Sequence, residues 1–241
     1  MLHFDVHVVY NPLQPVLKRA YPMLSNQTII YQTREEYVAA QLRRLITEGR
    51  IAPGEQIDQS SLAEQLGVSR SPVRDAVRRL AAEGLLCINP HKQAFVPVLT
   101  RAEVAEIYRI LANLEGLAAF LAVPKMGPDD LQALRTLHQQ MAGDLVPEQW
   151  VELNACFHSA LCDLADSPRL AGIIDSLRTL RQVASPYARE YVTRPENRKK
   201  ALSNHLRILE ACEKRDPALA QLESERHLLE TWKDIESTLQ A

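Results

Sequence analysis

The sequence predicts a mainly α-helical chain in two parts. The first is a compact N-terminal unit of short helices carrying a small β element. The second is a C-terminal antiparallel bundle made only of helices. Apolar residues recur at three- and four-residue spacing through most of the chain. Only 8 of the 241 residues are glycine, and Leu, Ala, Glu and Arg are abundant, a composition that favours helices. Aromatic residues make up 5% of a chain that is 46% apolar, so its cores are built from Leu, Ala and Val. Two short β-leaning runs flank a turn near residues 85–98.

Residues 1–33 fit neither part. MLHFDVHVVY is faintly strand-like, but Pro12, Pro15 and Pro22 break any long helix behind it. The expectation is a disordered or arm-like extension. It lacks the charged start and small-residue cleavage site of a signal peptide.

A helix is expected from Arg34 to Gly49, with Val38, Leu42, Leu45 and Ile46 on its buried face. Pro53-Gly54 then marks a turn. Gln59-Ser60-Ser61 opens the stretch on which the unit turns, LAEQLGVSRSPVRDAVRRL, residues 62–80. It reads as two short helices hinged at Gly67-Val68-Ser69. Leu62, Ala63 and Leu66 give one apolar stripe; Val73, Val77 and Leu80 give the other. Gly67 suits a helix stop that needs positive φ. Ser69 or Ser71 can cap the second helix, and Pro72 suits its first turn. That helix carries Arg70, Arg74, Arg78 and Arg79 against one acid, Asp75. Arg74 and Arg78 stand four apart on a stripe away from Val73 and Val77. This is the layout of a helix-turn-helix whose second helix enters a major groove; the bland alternative is a helical hairpin with a solvated arginine face. After Gly84, LLCI and AFVPV flank NPHKQ as a two-stranded wing with His91 and Lys92 at its tip.

The segments LRRLITEGRIAPGEQI, LAEQLGVSRSPVRDAVRRLAAEGLL and the closing AFV together resemble the winged helix-turn-helix of the GntR family of bacterial transcription regulators. The resemblance runs from about Tyr37 to Val98. One departure is Gln93, which holds the place where that pattern usually has a glycine before the wing's second strand.

From Thr100 the chain reads as helical to its end. Thr100 and Glu103 form a capping-box signature, followed by Val104, Ile107, Leu111, Leu114 and Leu117 at helical spacing. PDDLQALRTLHQQM, PEQWVELNACFHSALCDLADS and PRLAGIIDSLRTLRQVAS supply three more helices, and residues 196–214 and 217–238 two more. Six helices in this length make a bundle. The expected units are residues 34–98 and 99–241, with a hinge at 96–100. Four cysteines (Cys87, Cys156, Cys162, Cys212) show no paired spacing and read as reduced core residues of a cytoplasmic protein. No run of 18 apolar residues appears, so no membrane span is expected. Net charge is −2, with the region after Val96 net acidic, which excludes a general polyanion binder and fits a local basic helix on an acidic body.

Three histidines stand out in the bundle: His158, His205 and His227, each on a separate predicted helix, with Asn154 one turn before His158. A single histidine beside apolar residues is usually structural. Three from separate bundle helices point instead to a converging metal site, and imidazole suits Zn, Ni and similar divalent ions. NACFH, NHLRILEA and RHLLE, with a DPALA turn between the last two, resemble the metal-binding effector domain of the FadR-type branch, the FCD domain. The resemblance implies Asn154, His158, His205 and His227 as ligands, with Asn154 standing where Asp is also found. It further implies a carboxylate or organic-acid effector near the metal. An arginine that commonly precedes the glutamate of the LEGLAA-like run by four residues is Leu111 here. Arg178, Arg181 or Arg135 could serve in its place, or be surface charges.

The leading expectation is a dimeric DNA-binding regulator, a repressor or activator, whose affinity for a palindromic operator is set by the effector. Arg70 and Arg74 would read bases, Ser69 and Ser71 would meet phosphates, and Arg78, His91 and Lys92 would add contacts. The two second helices of the dimer would enter grooves one turn, ~34 Å, apart. Two rivals are a constitutive dimeric DNA binder with a purely structural bundle and a metal-dependent hydrolase. The hydrolase lacks an HExxH motif and a placed general base.

Overall fold

The computed structural model describes residues 33–184, 191 and 194–238. Apart from Thr33, the expected N-terminal arm lies outside the described residues.

Helix α1, Arg34–Thr47, begins at Thr33 with a reciprocal capping box to Glu36 and buries Val38, Ala39, Leu42 and Ile46. Helix α2, Gln59–Gln65, starts at Asp58, whose carboxylate accepts the N–H groups of Ser60 and Ser61. A cap of this kind contributes ~1 kcal/mol. At its far end Gly67 takes φ 63°, and Val68 N–H reaches back to the Ala63 carbonyl at 3.0 Å. The left-handed glycine and that long return bond are how a helix stops and the chain turns at once.

Helix α3, Arg70–Ala82, buries Val73, Ala76, Val77 and Leu80. Ser69 holds its N-cap position but makes no side-chain cap bond, and Ser71 lies within the first turn with its hydroxyl 3.4 Å from Asp75. Neither serine caps the helix as expected. Strands β1, Cys87–Ile88, and β2, Ala94–Phe95, pair antiparallel with Cys87 opposite Phe95, and Gln56 bridges to Phe95 from the loop after α1. The turn between them settles the matter of Gln93. Positive φ falls on Lys92 (62°), and the Asn89 side chain binds both the N–H and the side chain of Gln93. No glycine is needed at Gln93, because asparagine closes the turn. These elements enclose one core running from Val38 to Val96.

Helices α4, Arg101–Ala122, α5, Pro128–Met141, α6, Pro147–Leu164, α7, Pro168–Ala184, α8, Pro195–Glu213, and α9, Pro217–Thr238, follow. A short 3-10 turn, Val123–Lys125, extends α4. The Thr100–Glu103 capping box is present. Helix α4 is central: it packs along α9 and against α6 and α7, while α8 packs on α9 and α5. The close approach of α4 to α9 depends on Gly116, where a β-carbon would stand 2.6 Å from Glu225 Cγ. With its extension α4 is long and apolar enough to cross a membrane by length and composition, but 56% of its apolar 18-residue window is buried inside the fold. Leu117, expected on the buried face, is 41% exposed. Two apolar clusters fill the bundle. One centres on Phe157, Leu134 and Ile208, the other on Tyr108, Leu111 and Ile174. Cys162 and Cys212 are buried, but Cys87 is exposed on β1 and departs from the core expectation.

Candidate functional site

Burial of the Val73/Val77/Leu80 stripe turns the opposite side of α3 outward. Ser69, Arg70, Ser71, Arg74 and Arg78 are all exposed, as are His91 and Lys92 at the wing tip. Asp75 sits 3.8 Å from both Arg74 and Arg78, too far and too exposed to neutralise them firmly. Arg70, Arg74 and Arg78 project from the small core into solvent.

Inside the bundle, α6, α8 and α9 deliver His158, His205 and His227 to one place. Ring centroids lie 5.0 Å apart for His158–His205, 5.1 Å for His158–His227 and 4.7 Å for His205–His227. Their candidate ligand nitrogens all fall within 4.8 Å of one another. Nitrogens sharing one tetrahedral ion at ~2.1 Å stand ~3.4 Å apart, so the rings close by up to about 1.4 Å when an ion is held.

Both ring nitrogens of His205, and Nδ1 of His227, are buried with no hydrogen-bond partner. Leaving such a group unsatisfied costs ~1–3 kcal/mol. A metal takes one nitrogen from each ring and would satisfy an orphaned nitrogen of His205 and that of His227, so the donor set fits a divalent ion. Burial first, then the neighbouring imidazoles, push the His205 pKa well below its ordinary value. Burial, then His158, push that of His227 down to about 3. Both rings are therefore neutral at pH 7, the form that ligates.

A cavity of about 160 Å³ opens beside the cluster, and Asn154, His158 and His227 line it. Asn154 thus shares the cavity with the imidazoles, as its i,i+4 relation to His158 requires. Arg178 and Arg181, one turn apart on α7, line the same cavity. Neither is a simple surface charge. Arg178 is buried and engaged: Nε donates to Glu115 at 2.8 Å, one terminal nitrogen to Cys162 Sγ at 3.4 Å, and the other lies 3.7 Å from Asp175. Arg181 lies over the Tyr108 ring at 5.0 Å, and its Nε is buried without a partner. Trp150 Nε1, another cavity-lining donor, is likewise unpartnered. Arg135 pairs instead with Glu213 at 2.8 Å. Leu111 is fully buried in the apolar cluster and offers no charge.

Glu115 is the residue that sequence reasoning passed over. It is 7% exposed, and its two oxygens accept from His158 Nδ1 at 3.0 Å and Arg178 Nε at 2.8 Å. Burial alone would raise its carboxyl pKa. Arg178 and His158 outweigh that and hold it well below the usual carboxylate range.

Two family models match the chain. The family model for bacterial regulatory proteins of the gntR family matches residues 34–96, and that for the FCD domain matches residues 106–230. The chain is 31% identical over 180 residues to the HTH-type transcriptional regulator McbR of Escherichia coli (strain K12), covering 73% of this chain and 80% of McbR. It is 31% identical over 144 residues to the HTH-type regulator YdhC of Bacillus subtilis (strain 168), covering 58% of this chain and 64%, just under two thirds, of YdhC. The solved structure of E. coli McbR/YncC superposes with a TM-score of 0.73 at 26% identity, over 87% of this chain and 100% of that one.

Proposed function

Because the chain belongs to the GntR family of bacterial transcription regulators, in the branch that carries an FCD domain, we propose the following division of labour. Residues 34–98 read a palindromic operator as half of a cytoplasmic homodimer, and residues 99–241 hold a divalent metal and sense a small organic acid. The observation that carries this reading is the meeting of three imidazoles from three helices, with orphaned nitrogens, beside a cavity lined by two arginines.

In the reader, α3 enters the major groove. Arg70 and Arg74 reach base edges, each bidentate pair to guanine being worth ~1–3 kcal/mol of discrimination. Ser69 and Ser71, beside the exposed helix N-terminus, meet phosphate oxygens; Arg78, His91 and Lys92 add flanking contacts.

In the sensor, His158, His205 and His227 hold the ion and Asn154 adds an amide oxygen, a donor set suited to Zn or Ni. A bound ion supplies a Lewis-acidic anchor for an effector oxygen. The unpartnered donors of Arg181 and Trp150 favour an acceptor-rich ligand. Arg181 is the arginine open to it, since every nitrogen of Arg178 already has a neighbour. The hydrolase alternative is disfavoured by Glu115. Among the described residues it is the carboxylate lining the cavity, and it is already bound on both oxygens.

The test is selection of binding sites from random duplex DNA by the purified full chain, followed by operator titration in chelator and in Zn2+. The expected outcome is enrichment of a short palindrome and an affinity that differs between the two conditions. Failure to enrich any sequence rejects the reader; equal affinities reject the coupling to metal.

A further inference from the structure

We propose that Glu115 is a positioning residue for the metal site: its carboxylate fixes the tautomer and orientation of His158, with Arg178 as its fixed counter-ion. The proposal rests on the reading of the histidine cluster as a metal site.

Glu115 Oε2 stands 3.0 Å from His158 Nδ1. A carboxylate only accepts, so Nδ1 carries the proton, and Nε2 is the nitrogen left to ligate. A neutral imidazole has two tautomers, and the one with Nδ1 free would aim its lone pair at the carboxylate. The Glu115 contact removes that form and adds electron density to the ring, which raises its basicity as a ligand.

The carboxylate is itself held on both sides. Arg178 Nε occupies its other oxygen at 2.8 Å, and both side chains are buried, at 7% and 15% exposure. The helix that carries Glu115 packs closely on α9: a β-carbon on Gly116 would stand 2.6 Å from Glu225 Cγ. A bound carboxylate and a single free nitrogen pre-set one of the three histidine ligands before the ion arrives. His205 and His227 have no such partner on the nitrogens that the structure leaves orphaned. His158 is the ligand whose direction the protein dictates, and α4 and α7 enter the metal site through it without touching the ion.

The test is Zn2+ titration of the full-length protein in competition with a chromophoric chelator, with the visible absorption of the Co2+ adduct as a second readout. Glu115→Gln keeps the shape and removes the charge. It should bind Zn2+ roughly 10- to 100-fold more weakly and shift the Co2+ bands, because the ring is less basic and less firmly aimed. Circular dichroism checks that the helices persist. If the lone buried guanidinium unfolds that variant, Glu115→Gln with Arg178→Met removes both charges together and carries the same expectation. Zn2+ affinity within about threefold of wild type, with unchanged Co2+ bands in a folded variant, overturns the proposal. Wild-type protein that binds no Zn2+ overturns the metal reading itself, and this inference with it.

Discussion

Leu180 Cδ2 lies 4.0 Å from the point where a β-carbon on Gly84 would stand. Leu180 therefore lies beside Gly84. Leu180 belongs to α7, the helix whose Arg178 and Arg181 line the cavity. Gly84, with φ 78°, is the left-handed residue that stops α3, the arginine-bearing helix. Helix α1 also packs on α7. A ligand-driven shift of α7 would reach the N-terminal unit through α1 and the end of α3. Leu180→Ala should leave Zn2+ binding and metal-free operator binding near wild type while shrinking the metal-dependent change in operator affinity. Couplings of this kind amount to ~1–3 kcal/mol. Fluorescence anisotropy with a labelled operator measures it, and a variant that keeps the full change speaks against this route.

Arg74→Ala removes an exposed guanidinium whose nearest acid is 3.8 Å away. Specific operator affinity should fall by ~1–3 kcal/mol, with an unchanged unfolding midpoint because no buried contact is lost. Filter binding against specific and scrambled duplexes separates base reading from phosphate attraction. An equal loss on both duplexes would make Arg74 a phosphate contact.

Arg181→Met and Arg178→Met should separate by phenotype. Arg181 has a buried Nε without a partner, so its loss should weaken binding of a small carboxylate with little effect on folding. Loss of Arg178 leaves the buried Glu115 carboxyl without its counter-ion, and breaking such a pair typically costs ~3–5 kcal/mol. Thermal melts and a calorimetric screen of small carboxylates read the two effects. The reverse assignment would make Arg178 the effector anchor.

Metal-stripped protein should lose stability as pH falls from 7. The folded-state pKa of His227 sits at about 3, and that of His205 lies well below its ordinary value, whereas both titrate near ~6.5 in the unfolded chain. Between those limits the unfolded state binds more protons, so stability rises with pH and is lost on acidification. Each fully differential proton contributes ~1.4 kcal/mol per pH unit. Urea midpoints at pH 7, 6 and 5 check the sign. A midpoint that rises toward pH 5 would contradict the buried, unpaired rings.

Much of this was legible in the sequence because its signals are local. Thr100 with Glu103, Gly67 before Ser69, and the Val73/Val77/Leu80 stripe each act within a turn or two of chain. The histidines were legible as a set because each falls on a separate amphipathic helix. Glu115 was not. A glutamate in mid-helix reads as solvated, and its burial depends on α6 bringing His158 and α7 bringing Arg178, 63 residues away. The same long-range pairing turned Arg178 from an apparent surface charge into a buried one. The wing was legible in outline only, since the side chain of Asn89, rather than a glycine, closes its turn.

Whether the imidazole cluster holds a metal is decided by elemental analysis of purified wild type beside His205→Ala, since His205 is fully buried with both ring nitrogens unpartnered. The expected result is about one divalent transition-metal ion per wild-type chain and none in a folded variant. Equal metal content in the two proteins would rule the site out.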